Sequence, residues 1–214
     1  MNYIRVHSVL PRFLSAEESS LSEIWGNDVC FQKGENHLIT AVSGAGKSSL
    51  FSYLFGERRD FSGNVKYDDR NINSLKENEW SKIRQNNISL VFQGLRLFAE
   101  LTAMENINLK NSLTNHKTQD EIMYMFECVK LIDKCNEKTS RLSFGQQQRV
   151  AIIRALCQPF DFLLLDEPFS HLDHDNIEIM TELINREVSK KNAGLLICTL
   201  GDEYMFTYHR KWKL

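Results

Sequence analysis

Between Leu38 and Leu54 the chain changes character twice in a short span. Leu38 to Ala41 is a brief apolar run bounded by a Lys33-Gly34 turn upstream, which reads as a strand. Ser43-Gly44-Ala45-Gly46-Lys47-Ser48-Ser49 follows, small residues closing on a lysine. Leu50, Phe51, Tyr53 and Leu54 then supply one apolar face of a helix, with Gly56 near its end. A strand, a glycine-rich turn and a helix in that order make an anion cradle. Small residues let successive backbone N–H groups turn inward, and the helix points its positive N-terminus at the same spot. A chain carrying this turn must supply a strand behind it and a helix in front of it, so the segment commits the fold to an α/β sheet.

The eight residues Ala41-Val42-Ser43-Gly44-Ala45-Gly46-Lys47-Ser48 fit the phosphate-loop pattern G-x-x-x-x-G-K-[ST] at every defined position except the first. Lys47 reaches the outer phosphates and the Ser48 hydroxyl is a ligand for Mg²⁺. Ala41 replaces a glycine. If that position requires a glycine-only backbone angle, the alanine costs about 1 kcal/mol or more. A second segment, Phe162-Leu163-Leu164-Leu165-Asp166-Glu167, reads as a buried strand delivering two carboxylates at its C-terminal end. In isolation, a strand ending in two solvated acids is the better reading. With a phosphate loop about 120 residues upstream, the functional reading prevails: Asp166 holds Mg²⁺ through water and Glu167 acts as general base on the attacking water.

The rest of the chain fits around these two segments. Val29 to Phe31, Gly63 to Tyr67, Ile88 to Phe92 and Leu195 to Thr199 read as strands. Residues from about Leu101 to Leu131 read as helical, with Ile122, Met125, Phe126 and Val129 on one face, as do Gln146 to Cys157 and His174 to Lys190. The tail, Phe206 to Lys213, alternates aromatic and polar residues, apart from Arg210, as a half-buried strand with a solvated basic face. Strands alternate with helices at both ends around a helical block, which predicts a mainly parallel sheet with a helical insertion. At 214 residues, one α/β domain spanning 1–214 is expected. A net charge of −2 argues against a general nucleic-acid binder. No apolar run approaches a membrane span, and the proline and charges of the first residues argue against a signal peptide. The five cysteines are scattered without a CxxC pair, as in a cytoplasmic chain with reduced thiols, and Cys157 and Cys198 lie in apolar segments as buried residues.

Leu142-Ser143-Phe144-Gly145-Gln146-Gln147-Gln148-Arg149-Val150 closely resembles the signature LSGGQQQRV of ABC ATPases, and it stands, as in that family, between the phosphate loop and the Asp-Glu strand. Gln93 resembles the family's Q-loop glutamine and Ser170-His171-Leu172-Asp173 its D-loop. The stretch Leu90 to Ile107 resembles the lipoprotein-release, macrolide-efflux and cell-division group of bacterial ABC ATPases. The resemblance spans nearly the whole chain. It implies a P-loop NTPase core with a mainly parallel sheet, an N-terminal antiparallel β subdomain and an inserted α-helical subdomain at approximately 94–158. It implies ATP and Mg²⁺ as ligands. Ser43, Gly44, Ala45, Gly46, Lys47, Ser48 and Ser49 would hold the phosphates, and Ser48, Gln93 and Asp166 the metal. Glu167, Gln93 and Lys47 would serve catalysis. Ser143, Gly145 and Gln146 would grip the nucleotide of a second copy in an ATP-sandwich dimer. Phe13 stands at the right distance before Lys47 to stack on adenine, or else it packs in the core.

An integral membrane permease is the further partner implied, with the chain peripheral on the inner face of the cell membrane. Its coupling segment would dock in a groove lined by Leu95, Leu97, Phe98 and Leu101, or else these residues pack the seam between the subdomains. Two positions depart from the family pattern. Phe144 stands for a signature glycine. Leu200, in Cys198-Thr199-Leu200-Gly201-Asp202, stands where the family carries a histidine that contacts the γ-phosphate, and a leucine cannot donate a hydrogen bond. Asp202 would repel a phosphate, and His209 is too far along to substitute. Slow turnover is the expectation, and the alternative to transport is an ATP-sensing regulatory clamp that dimerises with little hydrolysis.

Overall fold

The computed structural model describes residues 1–42 and 44–214, with the backbone alone at Ala16 and Glu18. In chain order the elements are β1 (Tyr3–Pro11), α1 (Ala16–Ser20), β2 (Asp28–Gln32), β3 (Asn36–Thr40), α2 (Lys47–Leu54), β4 (Phe61–Tyr67), β5 (Arg70–Asn71), α3 (Glu77–Asn86) and β6 (Ile88–Val91). There follow α4 (Ala103–Asn111), α5 (Gln119–Cys128), α6 (Phe144–Leu156), β7 (Phe162–Asp166), α7 (His174–Lys191), β8 (Gly194–Thr199) and β9 (Arg210–Lys213).

The strands form two sheets. The N-terminal sheet runs β2-β1-β4-β5 with antiparallel pairing throughout. The second runs β6-β7-β8-β3-β9 with every pair parallel. Strand β7 is buried at all five positions, as a strand in the interior of a sheet covered on both faces must be. Its alternate side chains separate two cores. Leu163 and Leu165 join Leu195, Ile197 and the helical residues Phe126, Val150 and Ile184. Phe162 and Leu164 join Leu196, Cys198 and the antiparallel sheet, with α2 between. The helical insertion caps one core and the antiparallel sheet closes the other, the architecture expected from the sequence.

Local chemistry explains where the elements differ from the sequence reading. The helical block from 101 to 131 is two helices. Thr102 with Glu105 and Thr118 with Glu121 each form a capping box, so α4 and α5 start independently. The Asn111 side chain ties off the turn between them by bonding both backbone groups of Lys117. Helix α6 begins at Phe144, two residues before the expected start, because Ser143 caps it. The expected tail strand shrinks to Arg210–Lys213. Its upstream half is held instead by Phe206, whose ring stacks on Phe169 at 6.3 Å. Lys211 and Lys213 are exposed, as the alternation predicted, and Arg210, on the aromatic face of that alternation, is exposed as well. All five cysteines are free, and Cys135, Cys157 and Cys198 are buried.

Candidate functional site

The loop after β3 is built as an anion cradle. Gly44 and Gly46 take φ of 87° and 96°, the left-handed region open to glycine. Gly46 is also crowded, since a Cβ there would lie 3.3 Å from the Trp25 indole and 3.4 Å from the Phe13 ring. The Trp25 Nε1–H donates to the Ala45 carbonyl at 3.1 Å and pins the loop from below. Ala41 is buried and is not among the left-handed residues, so the alanine in place of the first glycine carries no backbone penalty. Its N–H donates to the Thr199 carbonyl at 3.2 Å, joining the loop to the end of β8. Lys47 is only 7% exposed, and its Nζ donates to the Ala41 carbonyl at 3.2 Å while lying 3.4 Å from Glu167 Oε1. Ser43, expected among the phosphate contacts, lies outside the described residues.

The carboxylates meet the loop as the strand order requires. Asp166 closes β7 and is 4% exposed, with Oδ1 buried and without a hydrogen-bond partner. Burial, and secondarily the Glu167 charge, hold its carboxyl above the usual carboxylate range, against the hydrogen bond from Ser48 and the charge of Lys47. Glu167 adopts a left-handed φ of 48°, uncommon for a side-chain-bearing residue. Its N–H donates to the Cys198 carbonyl at 3.0 Å, and Gln93 Nε2 donates to its Oε2 at 3.2 Å. One cleft of about 490 Å³ gathers Phe13, Gly44, Gly46, Lys47, Ser48, Ser49, Gln93 and Glu167. Phe13 is 49% exposed there, which removes the reading of it as a core side chain.

The remaining expected residues lie elsewhere. Ser143, Gly145 and Gln146 form the first turn of α6, outside that cleft. Ser143 Oγ accepts from the Gln146 N–H, and the Gln146 side chain accepts from the Ser143 N–H at 2.9 Å. Gly145 has no room for a side chain: a Cβ would sit 2.9 Å from the His171 carbonyl oxygen and 3.1 Å from Leu172. Phe144 is exposed, and its ring meets the His171 ring edge-on at 4.4 Å. Leu200 is 57% exposed immediately after β8, so it stands next to the residue that bonds the start of the phosphate loop. His209 is far from the cleft in role as well as in sequence, since its Nδ1 accepts the Asn36 N–H at 3.0 Å at the start of β3.

Of the four residues expected to line a docking groove, Phe98 opens into one, while Leu95 and Leu97 line a separate, smaller cavity of about 110 Å³ with Ala99, Phe144 and Gln147. Leu95 is buried in the core, Leu97 packs against it, and the Leu101 carbonyl accepts the Thr139 N–H. The groove itself, about 280 Å³ between β6 and the helical insertion, has Leu90, Phe92, Phe98 and Leu109 as apolar walls and Arg96, Lys110 and Arg154 as cations. Three residues that sequence reasoning passed over are structurally central. They are Trp25 under the loop, Arg58 in the cleft, and Gln148. Gln148 Nε2 donates to the Glu167 carbonyl at 3.4 Å and to Ser170 Oγ at 3.1 Å, while its Oε1 accepts the His171 N–H at 3.3 Å. Gln148 stood in the signature run, where its type was visible but its partners were not.

Comparison with known proteins places this arrangement. The profile of the ABC transporter family matches residues 26–170. The lipoprotein-releasing system ATP-binding protein LolD of Buchnera aphidicola subsp. Schizaphis graminum is 34% identical over 169 residues, covering 78% of this chain and 74% of that protein. LolD of Psychrobacter arcticus is 30% identical over 205 residues, 91% of each. Among solved structures, a dimeric bacterial ABC transporter cassette superposes with a TM-score of 0.79 at 28% identity, covering 92% of this chain and 88% of that one. A post-hydrolysis state of a cassette bound to ADP and Pi superposes with a TM-score of 0.77. The chain therefore belongs to the ABC transporter family, and within it to the ATP-binding subunits.

Proposed function

We propose that the chain binds ATP with Mg²⁺ in the cleft between the phosphate loop and Glu167, closes on a second copy of itself, and couples hydrolysis to a partner permease. The observation that carries this reading is the convergence, in one cleft, of a buried lysine and the Glu167 carboxylate 3.4 Å apart, with Gln93 bonded to the same carboxylate. Ser48 and the unpartnered Oδ1 of Asp166 are hard oxygen donors suited to Mg²⁺, with Gln93 beside them. Among the described residues no cluster of three or more His, Cys, Asp or Glu is found, and Ser48, Asp166 and Gln93 are the residues that would hold the cation. When bound, Mg²⁺ neutralises charge on the phosphate oxygens. Lys47 supplies a fixed positive charge to the outer phosphates. Glu167 orients a water and takes its proton as the water oxygen bonds to the γ-phosphorus and the bond to the ADP oxygen breaks.

The first turn of α6 presents free N–H groups and the Ser143 hydroxyl away from the chain's own cleft, which supports their use on a second copy's nucleotide. The groove walled by Phe92, Phe98 and Leu109 is the docking surface for the permease. Among the described residues no helix is long and apolar enough to cross a membrane; by likeness to LolD, the chain works at the inner membrane face through that partner. By likeness to LolD, the permease belongs to the lipoprotein-release group.

Leu200 supports a second reading. An exposed leucine beside the phosphate loop offers no donor to a γ-phosphate, which favours slow turnover and an ATP-sensing clamp that dimerises with little hydrolysis. The test of the cleft is Lys47→Ala: calorimetry should show ATP binding lost with the fold intact, and unchanged affinity would refute the assignment.

A further inference from the structure

The loop after α2 sends Arg58 back into the nucleotide cleft. Its Nη1 donates to the Ser49 hydroxyl at 2.9 Å, and its Nε donates to Asp60 Oδ1 at 3.0 Å. The guanidinium carbon lies 5.8 Å from the centre of the Phe13 ring and 5.6 Å from that of Tyr53. Asp60 does not line the cleft, so its carboxylate orients the guanidinium from behind and leaves the Ser49 edge facing inward. No part of the phosphate-loop pattern requires an arginine here.

Charge within the cleft gives this residue a task. Lys47 is the other cation lining it, and that lysine already faces Glu167, with Asp166 beside it. Lys47 is thus engaged with the carboxylate end of the cleft, and Arg58 adds a positive group beside Ser49, where no carboxylate lines the wall. The two cations also stand at different ends. Lys47 shares its end with Glu167 and Gln93, whereas Arg58 shares its end with Ser49 and Phe13. A nucleotide with its terminal phosphate at Lys47 and its base at Phe13 carries its α-phosphate past Ser49. A guanidinium held on one edge by a carboxylate keeps its other N–H groups in a fixed fork, the geometry that suits a phosphate.

We propose that Arg58 is the second cation of the nucleotide site and contacts the α-phosphate of the bound nucleotide. This rests on the ATP reading of the cleft, and the experiment separates the two. Calorimetric titration with Mg·ATP and with Mg·ADP is made on the unmodified chain, Arg58→Gln, Arg58→Lys and Lys47→Ala, alongside melting of each without nucleotide. Both nucleotides carry the α-phosphate, so Arg58→Gln should weaken ATP and ADP by the same factor, roughly tenfold for one partly exposed charged contact. Arg58→Lys should recover part of the loss, and the nucleotide-free melting temperature should not move. Unchanged affinities overturn the proposal. So does a loss confined to ATP, which would put the charge at the terminal phosphate. A loss that tracks a lower nucleotide-free melting temperature also overturns it, making Arg58 a brace for the loop after α2. Wild-type ATP binding by Lys47→Ala would instead overturn the reading of the cleft on which the proposal stands.

Discussion

His37 offers a quantitative test of how the parallel sheet is closed at its C-terminal edge. The residue sits on β3, 2% exposed, and its Nδ1 accepts the Trp212 Nε1–H from β9 at 3.3 Å. That bond fixes the neutral tautomer with its proton on Nε2. Glu35 Oε2 lies 3.3 Å from Nε2 without a hydrogen bond, and its side chain is 39% exposed, so solvent weakens its pull on a proton. Burial, with the charges of His209 and Arg210, prevails and holds the imidazole at about 4. The folded chain therefore favours neutral His37, while the unfolded chain protonates near 6.5. The stabilisation is intact above pH 6.5, falls as pH drops through 6.5 towards about 4, and is exhausted below. Integrated over the window it amounts to about 3 kcal/mol, of which about 2 kcal/mol is gone by pH 5. Urea unfolding followed by tryptophan fluorescence at pH 7.5, 6 and 5, with His37→Gln as reference, isolates this residue from the other titrating groups. The advantage of the unmodified chain over the variant should shrink by about 2 kcal/mol between pH 7.5 and 5. Parallel pH curves for the two would refute the reasoning and assign Glu35 the controlling role.

Three further outcomes follow from the site. Gly145→Ala must push the His171 carbonyl away from a Cβ contact at 2.9 Å, so it should cost about 1–3 kcal/mol and weaken ATP-driven self-association; an unchanged melting temperature would contradict that close approach. Leu200→His adds a donor beside the phosphate loop and should raise steady-state ATP hydrolysis by up to about 10²-fold; an unaltered rate would mean that position 200 does not reach the γ-phosphate. Phe98→Glu, at an exposed aromatic of the groove, should cut co-purification with a co-expressed permease while leaving the melting temperature in place, and a large fall in melting temperature would make it a packing residue instead.

The parts of the fold visible in the sequence are those governed by short-range rules. The phosphate loop and the Asp166 strand are each written in a few neighbouring residues whose types dictate their geometry. Helix boundaries shifted where a side chain intervened, as with Ser143 capping α6 earlier than the apolar pattern begins. Residues that act through distant partners were not legible. Trp25 supports Ala45 across the space between a loop and the phosphate cradle, and Gln148 reaches from α6 to the end of β7. Arg58 enters the cleft only because the turn after α2 folds back. The groove shows the same limit from the other side. Leu95, Leu97, Phe98 and Leu101 are equally apolar in sequence, and tertiary packing alone buries Leu95 while leaving Phe98 at 59% exposure.

The central claim is that this chain binds ATP in its own cleft and closes on a second copy through Ser143 and Gly145. Sedimentation velocity of Glu167→Gln at saturating ATP and Mg²⁺, with and without a second substitution Ser143→Arg, tests it most directly. Glu167→Gln removes the general base, so bound ATP should persist and the chain should sediment as a dimer. Ser143→Arg places a large side chain where the partner's phosphate would sit and should return the double variant to monomer, with nucleotide still bound. A Glu167→Gln chain that stays monomeric with ATP bound, or a double variant that still dimerises, would contradict the account.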